Sequence, residues 1–309
     1  MKRVIVTGAD GFIGTNFIKK LVEQHVEVWA VVYPLSETKH RIMGLKSVHC
    51  VETDISELQS KAAQFPKDVD AFYHFAWQGV NANDRNNLGI QLVNIDLCLK
   101  CIEFAATLGV KKFILPGSTS EYLYYGRPIN EQAIPSPQNA YGSVKVALRY
   151  LAEQHAKQLR LDFIYVVITG IYAADRKDNN VIFYTIDKLL RGEKPSVTKL
   201  EQQWDYVNIE DVVEALMLVG EKGKSGAFYA IGHGDNQPLY KYIEVIRDYI
   251  NPNLPLGIGE VPYANDILPS SCIDLSKLQE DTGFVPCVNF EEGIKAVIDT
   301  MKKEICDEK

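Results

Sequence analysis

The sequence predicts an α/β protein built on a doubly wound parallel sheet, with a smaller C-terminal cap that binds substrate. Three features indicate this architecture. Short β-branched runs alternate with longer helical patterns, a glycine-rich loop follows the first run, and the alternation fades after Thr169. Strands that alternate with helices need right-handed crossovers, which give a parallel sheet covered on both faces.

The individual elements follow from local patterns. Apolar and β-branched runs bounded by turn residues predict seven strands, at Arg3–Thr7, Val28–Tyr33, Ser47–Glu52, Ala71–Phe75, Lys112–Pro116, Phe163–Ile168 and Ala227–Ile231. Apolar residues at helical spacing predict helices at Gly14–Gln24, Leu88–Leu108, Ala140–Gln158 and Val181–Arg191. Residues 205–219 form a strand edge that continues into a helix.

These elements divide the chain into two parts. Residues 1–169 and 203–233 are expected to form a dinucleotide-binding domain, and residues 170–202 and 234–309 the substrate-binding cap. The cap is expected to close over the carboxyl edge of the sheet, where open α/β sheets bind their ligands.

Charge and cysteine usage exclude several classes of function. A net charge of −7 argues against general binding to nucleic acid or to a membrane surface, because both require a basic face. The longest apolar run, 163–174, is too short to span a bilayer. Without a secretory signal, the six cysteines indicate a cytoplasmic protein with reduced thiols, in which Cys98 and Cys101 pack as small apolar groups. No metal site is predicted.

A glycine-rich loop gives the first indication of a ligand. The first predicted strand is followed by Gly8-Ala9-Asp10-Gly11-Phe12-Ile13-Gly14 and then by a helix. Glycines here let the chain turn tightly and bring backbone N–H groups to a pyrophosphate at the positive end of the helix. The strand before the loop and the helix after it are the context that a Rossmann dinucleotide site requires.

The type of dinucleotide is inferred from the second strand. Such sites usually carry an acidic residue at its end to hold the adenosine ribose, but this strand ends in Val32 and Tyr33. Lys39 and Arg41 follow, which favours the 2′-phosphate of NADP, although these cations also suit a solvated loop and NAD. After the third strand, Asp54 and Ile55 suit either the adenine edge or an ordinary helix cap.

Three polar residues suggest catalysis. Tyr141 and Lys145 lie one helical turn apart on one face, and a nearby cation favours the phenolate form of a tyrosine. A free tyrosine has a pKa near 10, so acting as a base near neutrality requires a shift of roughly 3 units. Ser118 follows the fifth strand, where its hydroxyl is expected to bind the same substrate oxygen as Tyr141.

Features along nearly the whole chain match one known family: TGADGFIG at 7–14, HFAW at 74–77, Asn94, FILPGSTSEY at 113–122, YGSVK at 141–145, WDYVNIEDVVEAL at 204–216 and DLSKLQEDTGFVP at 274–286. They resemble the extended short-chain dehydrogenase/reductases, in the branch of nucleotide-sugar epimerases, dehydratases and ketoreductases.

The resemblance implies a role for each matching residue. Tyr141 would transfer the proton, Lys145 would hold the nicotinamide ribose, and Ser118 would bind the reacting oxygen unless a shift of one residue gives that role to Thr119. The glycine loop with Phe12 and Ile13 would wrap the pyrophosphate, and Ala76 would border the cofactor. The residues expected to contact a nucleotide-diphosphate sugar are Trp77, Thr119, Tyr172, Asn180 and Trp204. A homodimer formed through the helices at 88–108 and 140–158 is also implied.

The sequence departs from the family in three places, one of which is Ala173-Ala174 in place of the family's Gly-Pro turn. The Asp-Glu pair of the dehydratases corresponds to Thr119-Ser120, or to Ser120-Glu121 in a shifted register, so the acid–base pair needed to eliminate water is incomplete. Trp204 stands where many members place an arginine on the diphosphate. The candidate replacement cations are Arg85, Arg176, Arg191 and Lys194.

Four functions remain open at this point. The favoured one is an NADPH-dependent reductase of a 4-keto-6-deoxy sugar nucleotide. The main alternative is a nucleotide-sugar 4-epimerase that retains NAD. A reductase of a small ketone and a non-catalytic dinucleotide sensor are less favoured.

Overall fold

A computed structural model describes residues 1–176, 180–263 and 268–307. The strands are β1 (Arg3–Thr7), β2 (Glu27–Val32), β3 (Val48–Glu52), β4 (Ala71–His74), β5 (Lys112–Pro116), β6 (Asp162–Ile168), β7 (Gly170–Tyr172), β8 (Ser196–Val197), β9 (Gln203–Trp204), β10 (Tyr206–Asn208), β11 (Phe228–Ile231), β12 (Gln237–Pro238) and β13 (Gly257–Ile258). The α-helices are α1 (Phe12–Glu23), α2 (Leu88–Leu108), α3 (Ala140–Gln158), α4 (Val181–Leu190), α5 (Ile209–Lys222), α6 (Leu239–Ile250), α7 (Ser276–Thr282) and α8 (Phe290–Asp307). Short 3-10 helices lie at Lys39–Arg41, Ile55–Gln64 and Thr119–Glu121.

A parallel sheet of seven strands organises the molecule, in the order β11-β6-β5-β4-β1-β2-β3. All seven predicted strands are present, and the fold class is confirmed. The side chains of Val4, Ile5 and Val6 in the central strand β1 are fully buried, as expected for a strand covered on both faces.

The sheet extends from β1 on both sides, and this arrangement determines where a ligand can bind. From β1 it proceeds through α1 to β2 on one side, and β4 begins the run on the other side. Right-handed crossovers then place the paired helices α1 and α5 on one face and the paired helices α2 and α3 on the other. The order reverses between β1 and β4, and ligands bind in the crevice at such a reversal.

The cap has a second apolar core of its own. Helices α4, α6 and α8 surround a cluster of aromatic rings in which Tyr172, Tyr206, Tyr242 and Phe290 make edge or tilted contacts. Within the predicted cap range, 273–284 packs on the main core through Ile273, Leu275, Leu278 and Phe284. Within the described residues, no helix is long and apolar enough to cross a membrane.

Candidate active site

The glycine loop packs tightly against the sheet and leaves the start of α1 open. Gly8 has a φ of +63°, and a Cβ there would lie 2.6 Å from the backbone nitrogen of Ala76. A Cβ at Gly14 would overlap the carbonyl oxygen of Gly8. Helix α1 begins at Phe12, two residues earlier than predicted, and its N-cap Gly11 provides no side-chain acceptor. The first-turn N–H groups of α1 are therefore available to a pyrophosphate.

Two adjoining cavities run along the carboxyl edge of the sheet, with volumes of about 500 and 650 Å³. They share Gly8, Asp10, His74, Ala76 and Trp77, so together they form one elongated space. The smaller cavity is also lined by Tyr33, Thr53, Asp54 and Ile55, and the larger one by Gly11, Phe12, Ile13, Gly14, Ser118, Tyr141 and Lys145. The shape and the open helix N-terminus fit a dinucleotide whose adenosine end lies near Tyr33 and whose nicotinamide end lies near Tyr141.

The cations predicted to select NADP do not reach this space. The Lys39 ammonium lies 2.7 Å from a carboxylate oxygen of Glu52 at the end of β3, and Arg41 is exposed. Neither residue lines the two cavities. The expectation that Lys39 and Arg41 bind the cofactor is thus not supported, because the neighbouring strand supplies the carboxylate that pairs with Lys39.

Asp54 caps a helix, which is one of its two predicted roles, and it also lines the smaller cavity. Its carboxylate accepts hydrogen bonds from the backbone N–H of Ser56 at 2.8 Å and from the Ser56 hydroxyl at 2.6 Å, and so caps the 3-10 helix Ile55–Gln64. These bonds lower the pKa of Asp54. The same residue lines the adenosine end of the cavity.

The Lys145 ammonium is fixed by one hydrogen bond and one cation–π contact. Its ammonium donates a 2.8 Å hydrogen bond to the carbonyl oxygen of Pro116 and lies 3.6 Å from the centre of the Trp77 ring. Its distance to the centre of the Tyr141 ring is 5.8 Å. Burial lowers the pKa of Lys145 to about 8.

Tyr141 retains its proton in this arrangement. Burial raises the pKa of Tyr141, while the nearby Ser118 side chain and the charge of Arg85 oppose this rise. The sequence-based expectation was that Lys145 would lower this pKa, but the loss of hydration dominates. The phenol is therefore a proton donor near neutral pH in the protein without a ligand.

The hydroxyl beside Tyr141 belongs to Ser118. This residue lies just beyond β5 and caps the short helix Thr119–Glu121, where its side chain accepts a 3.2 Å hydrogen bond from the backbone N–H of Ser120. Ser118 and Thr119 both line the larger cavity, and of the two only Ser118 lowers the pKa of Tyr141. This interaction favours Ser118 over Thr119 as the group next to the reacting oxygen.

Glu121 faces away from the cavity. Its side chain is fully buried and accepts hydrogen bonds from the backbone N–H of Ser118 at 2.6 Å and from the Tyr165 hydroxyl at 2.8 Å. Burial raises the pKa of Glu121 to about 7. This carboxyl group supports the turn that carries Ser118 and is not exposed to a substrate, which weakens the case for elimination of water.

Four of the five predicted substrate contacts lie on the larger cavity, namely Trp77, Thr119, Asn180 and Trp204. The fifth, Tyr172, is a correction, because its ring is 1% exposed and packs on Phe290 in the cap core. A further cavity of about 840 Å³ lies in the cap and shares Asn180, Trp204 and Tyr206 with the larger cavity.

The proposed replacement cations separate into two groups. Arg85 lies 5.3 Å from the centre of the Tyr141 ring, Arg176 lies 4.5 Å from the centre of the Phe12 ring, and both line the larger cavity. Arg191 and Lys194 instead form ion pairs with Asp187 and Glu260. The sequence could not separate the four, because each position depends on how its loop packs.

Asp10 lies on the candidate site, although sequence reasoning passed over it. It lies inside the glycine loop, is 7% exposed and lines both cavities. A carboxylate within a loop that binds phosphate is the signal that could have identified it.

Comparisons with known proteins agree with this geometry. The family model described as NAD dependent epimerase/dehydratase family matches residues 4–232. A dTDP-6-deoxy-L-talose 4-dehydrogenase (NAD(+)) from Aggregatibacter actinomycetemcomitans is 28% identical over 71% of this chain and 82% of its own length. A GDP-6-deoxy-D-mannose reductase from Pseudomonas aeruginosa is 21% identical over 99% of both chains. The structure of a UDP-glucose 4-epimerase from Thermotoga maritima, solved with UDP-glucose, superposes with a TM-score of 0.84 at 24% identity, covering 98% of this chain and 99% of that one.

Proposed function

We propose that this chain, which belongs to the NAD-dependent epimerase/dehydratase family, reduces the 4-keto group of a 6-deoxy sugar nucleotide with a nicotinamide dinucleotide. The observation that carries the proposal is the position of Ser118, Tyr141 and Lys145 together on the wall of the larger cavity, with the Lys145 ammonium 5.8 Å from the centre of the Tyr141 ring. A phenol that keeps its proton at neutral pH is suited to donate it to a ketone oxygen.

Side chains of this protein would donate the proton that reduction requires and stabilise the negative charge that remains on the donor. When bound, the reduced nicotinamide supplies a hydride to the carbonyl carbon. The Tyr141 phenol donates its proton to the carbonyl oxygen, to which the Ser118 hydroxyl also donates a hydrogen bond. The phenolate that remains is stabilised by the cations of Lys145 and Arg85, at 5.8 and 5.3 Å from its ring centre.

The cap cavity supports a substrate larger than a simple ketone. Its volume of about 840 Å³ lies within the range typical of small-molecule sites. Because it adjoins the larger cavity at Asn180 and Trp204, it is placed to hold the nucleotide while the sugar reaches Tyr141. Two relatives, a 6-deoxy-talose 4-dehydrogenase and a 6-deoxy-mannose reductase, act on this class of sugar according to their names.

A nucleotide-sugar 4-epimerase is the second candidate. It uses the same three catalytic residues but retains its NAD through oxidation and re-reduction. The observation that favours it is the smaller cavity, where the described lining residues include the carboxylates of Asp10 and Asp54 but no lysine or arginine, as suits NAD.

A turnover assay distinguishes the reductase from the epimerase. The protein is mixed with NADH or NADPH and a panel of 4-keto-6-deoxy sugar nucleotides, and the absorbance of the reduced nicotinamide is followed. The reductase assignment predicts oxidation of the cofactor with at least one keto sugar. If none is reduced, and a 4-hydroxy sugar nucleotide equilibrates with its C4 epimer without added cofactor, the epimerase assignment is correct.

The reduction rate is expected to fall as the pH rises through about 8. Burial lowers the pKa of Lys145 to about 8, so its stabilising positive charge is present below that pH and lost above it. The pKa of Tyr141 is raised, so loss of the phenol proton falls at higher pH. The check is kcat/KM for ketone reduction between pH 6 and about 10; a profile that stays flat or rises above pH 8 contradicts the role given to Lys145.

The protein is also expected to be a homodimer. Some apolar residues of the two helices predicted to pair, such as Cys101, Phe104 and Leu148, are buried in the core of the chain itself. Other apolar residues of α2 and α3 remain 44–55% exposed, namely Leu88, Leu92, Val93, Tyr150 and Leu151. Light scattering at micromolar concentration should give twice the chain mass of 34.8 kDa, and Leu92→Arg should give monomers. A monomer mass for the unmodified protein would refute the dimer.

A further inference from the structure

We infer that Asp10 takes the place of the acid missing from β2, binds the adenosine ribose, and makes the protein selective for NAD(H) over NADP(H). The inference rests on the dinucleotide part of the proposed function and not on the identity of the sugar.

The Asp10 carboxylate is fixed on one side and open on the other. Its Oδ2 accepts a hydrogen bond from the Ser36 hydroxyl and another, at 3.0 Å, from the Thr38 hydroxyl. Among the described residues no group donates to Oδ1. Since Asp10 lines both cavities, Oδ1 is available to a ligand hydroxyl at their junction.

The two hydroxyl groups that donate to Asp10 also explain how an acid in the glycine loop can replace the acid usually found at the end of β2. Ser36 and Thr38 belong to the segment that follows β2, and their bonds to Asp10 join that segment to the glycine loop. The carboxylate is thereby held between the loop that wraps the pyrophosphate and the strand end that normally contacts the ribose. A fixed acceptor loses little conformational freedom when it binds a ribose hydroxyl.

The position of the Asp10 carboxylate also disfavours binding of the 2′-phosphate of NADP. Among the described residues, those lining the smaller cavity include two carboxylates, Asp10 and Asp54, and no lysine or arginine. Lys39, the nearest cation expected from the sequence, pairs with Glu52. A 2′-phosphate here would meet like charge in a partly buried site without a cation to offset it.

The test is equilibrium binding of NADH and NADPH to the purified full chain, followed by nucleotide fluorescence after bound nucleotide has been removed. The unmodified protein should bind NADH at least about tenfold more tightly than NADPH, a difference of about 1.4 kcal/mol. Asp10→Asn should reduce that ratio by at least about tenfold. Glu37→Gln is the matched control, since it removes the charge of an exposed carboxylate that lies between Ser36 and Thr38 but lines neither cavity, and it should change the ratio by no more than about twofold.

A second ligand tests the ribose contact directly. NADH that lacks the adenosine 2′-hydroxyl should bind the unmodified protein about tenfold more weakly than NADH, and Asp10→Asn should show little difference between the two. If Asp10→Asn does not give a cooperative thermal transition, Asp10→Ser replaces it, because serine keeps a polar acceptor for Ser36 and Thr38.

Equal ratios for the unmodified protein and Asp10→Asn, or a larger change in Glu37→Gln than in Asp10→Asn, would overturn the inference. Tighter binding of NADPH by the unmodified protein would also overturn it. Failure to bind either nucleotide would instead count against the proposed function, so the two failures are distinguishable.

Discussion

Replacing Tyr141 by phenylalanine is expected to lower turnover at least about a hundredfold, while the dissociation constant of the dinucleotide changes by no more than about twofold. The phenol is the group that transfers the proton, and general acid–base groups contribute roughly 10²–10⁴-fold to a rate. The ring itself packs against Trp77, with the ring centres 5.7 Å apart, and phenylalanine retains that contact. Steady-state kinetics and a binding titration on the same preparation test both parts.

Tyr150→Phe is the matched control for that variant. Tyr150 lies on the same helix α3, and its side chain is 51% exposed. The control should therefore keep its activity within about twofold. Full activity in Tyr141→Phe would show that another group moves the proton and would remove the basis of the proposed mechanism.

Replacing Lys145 by methionine is expected to lower turnover by about a hundredfold or more and to weaken dinucleotide binding as well. Loss of one fixed electrostatic group at a reacting centre typically costs roughly 10²–10³-fold. Methionine has a similar length and avoids an unpaired buried charge, but it cannot donate to Pro116 or stabilise the phenolate. The loss of dinucleotide affinity is the feature that distinguishes this variant from Tyr141→Phe.

The pH profile gives Lys145→Met a readout that a purely structural defect would not produce. The fall in rate near pH 8 should disappear from the residual activity, because the group that titrates there is absent. Lys157→Met, on the exposed part of the same helix, should keep both the rate and the profile. If the fall near pH 8 persists in Lys145→Met, it belongs to a different group.

Those residues whose geometry is set by regular elements could be predicted from the sequence. Tyr141 and Lys145 are four residues apart on a helix, and Ser118 follows a strand of the parallel sheet, so their proximity depends only on the helical repeat and on sheet topology. The glycine loop was equally accessible, because its position between β1 and α1 defines its conformation.

The residues whose roles were not predicted correctly are those whose surroundings are set by tertiary contacts. Lys39 looked like a phosphate ligand, but the pairing of β2 with β3 brings Glu52 to it. Tyr172 looked like a substrate contact, but Phe290, from the far end of the chain, covers its ring. The role of Asp10 depends on a segment after β2 that has no periodic pattern, and only its folded position shows the hydroxyls of Ser36 and Thr38 against the carboxylate.

The cap illustrates the same limit. Its helices were predicted in part, but the cavity between them involves Phe183, Thr198, Gln202 and Trp204, which come from different elements and loops. The Trp204 indole N–H is buried and has no hydrogen-bond partner among the described residues. A substrate acceptor is the partner that we expect it to find, since a buried N–H without one is costly.

The most direct test of the proposed reaction follows the hydride itself. The protein is incubated with a 4-keto-6-deoxy sugar nucleotide and NADH that carries deuterium at the transferred position, and the product is examined by mass spectrometry and NMR. We predict one deuterium at C4 of each sugar formed and one oxidised cofactor released per product. A product without deuterium at C4, or sugar conversion without oxidation of the added cofactor, would contradict the proposal that this protein is a reductase.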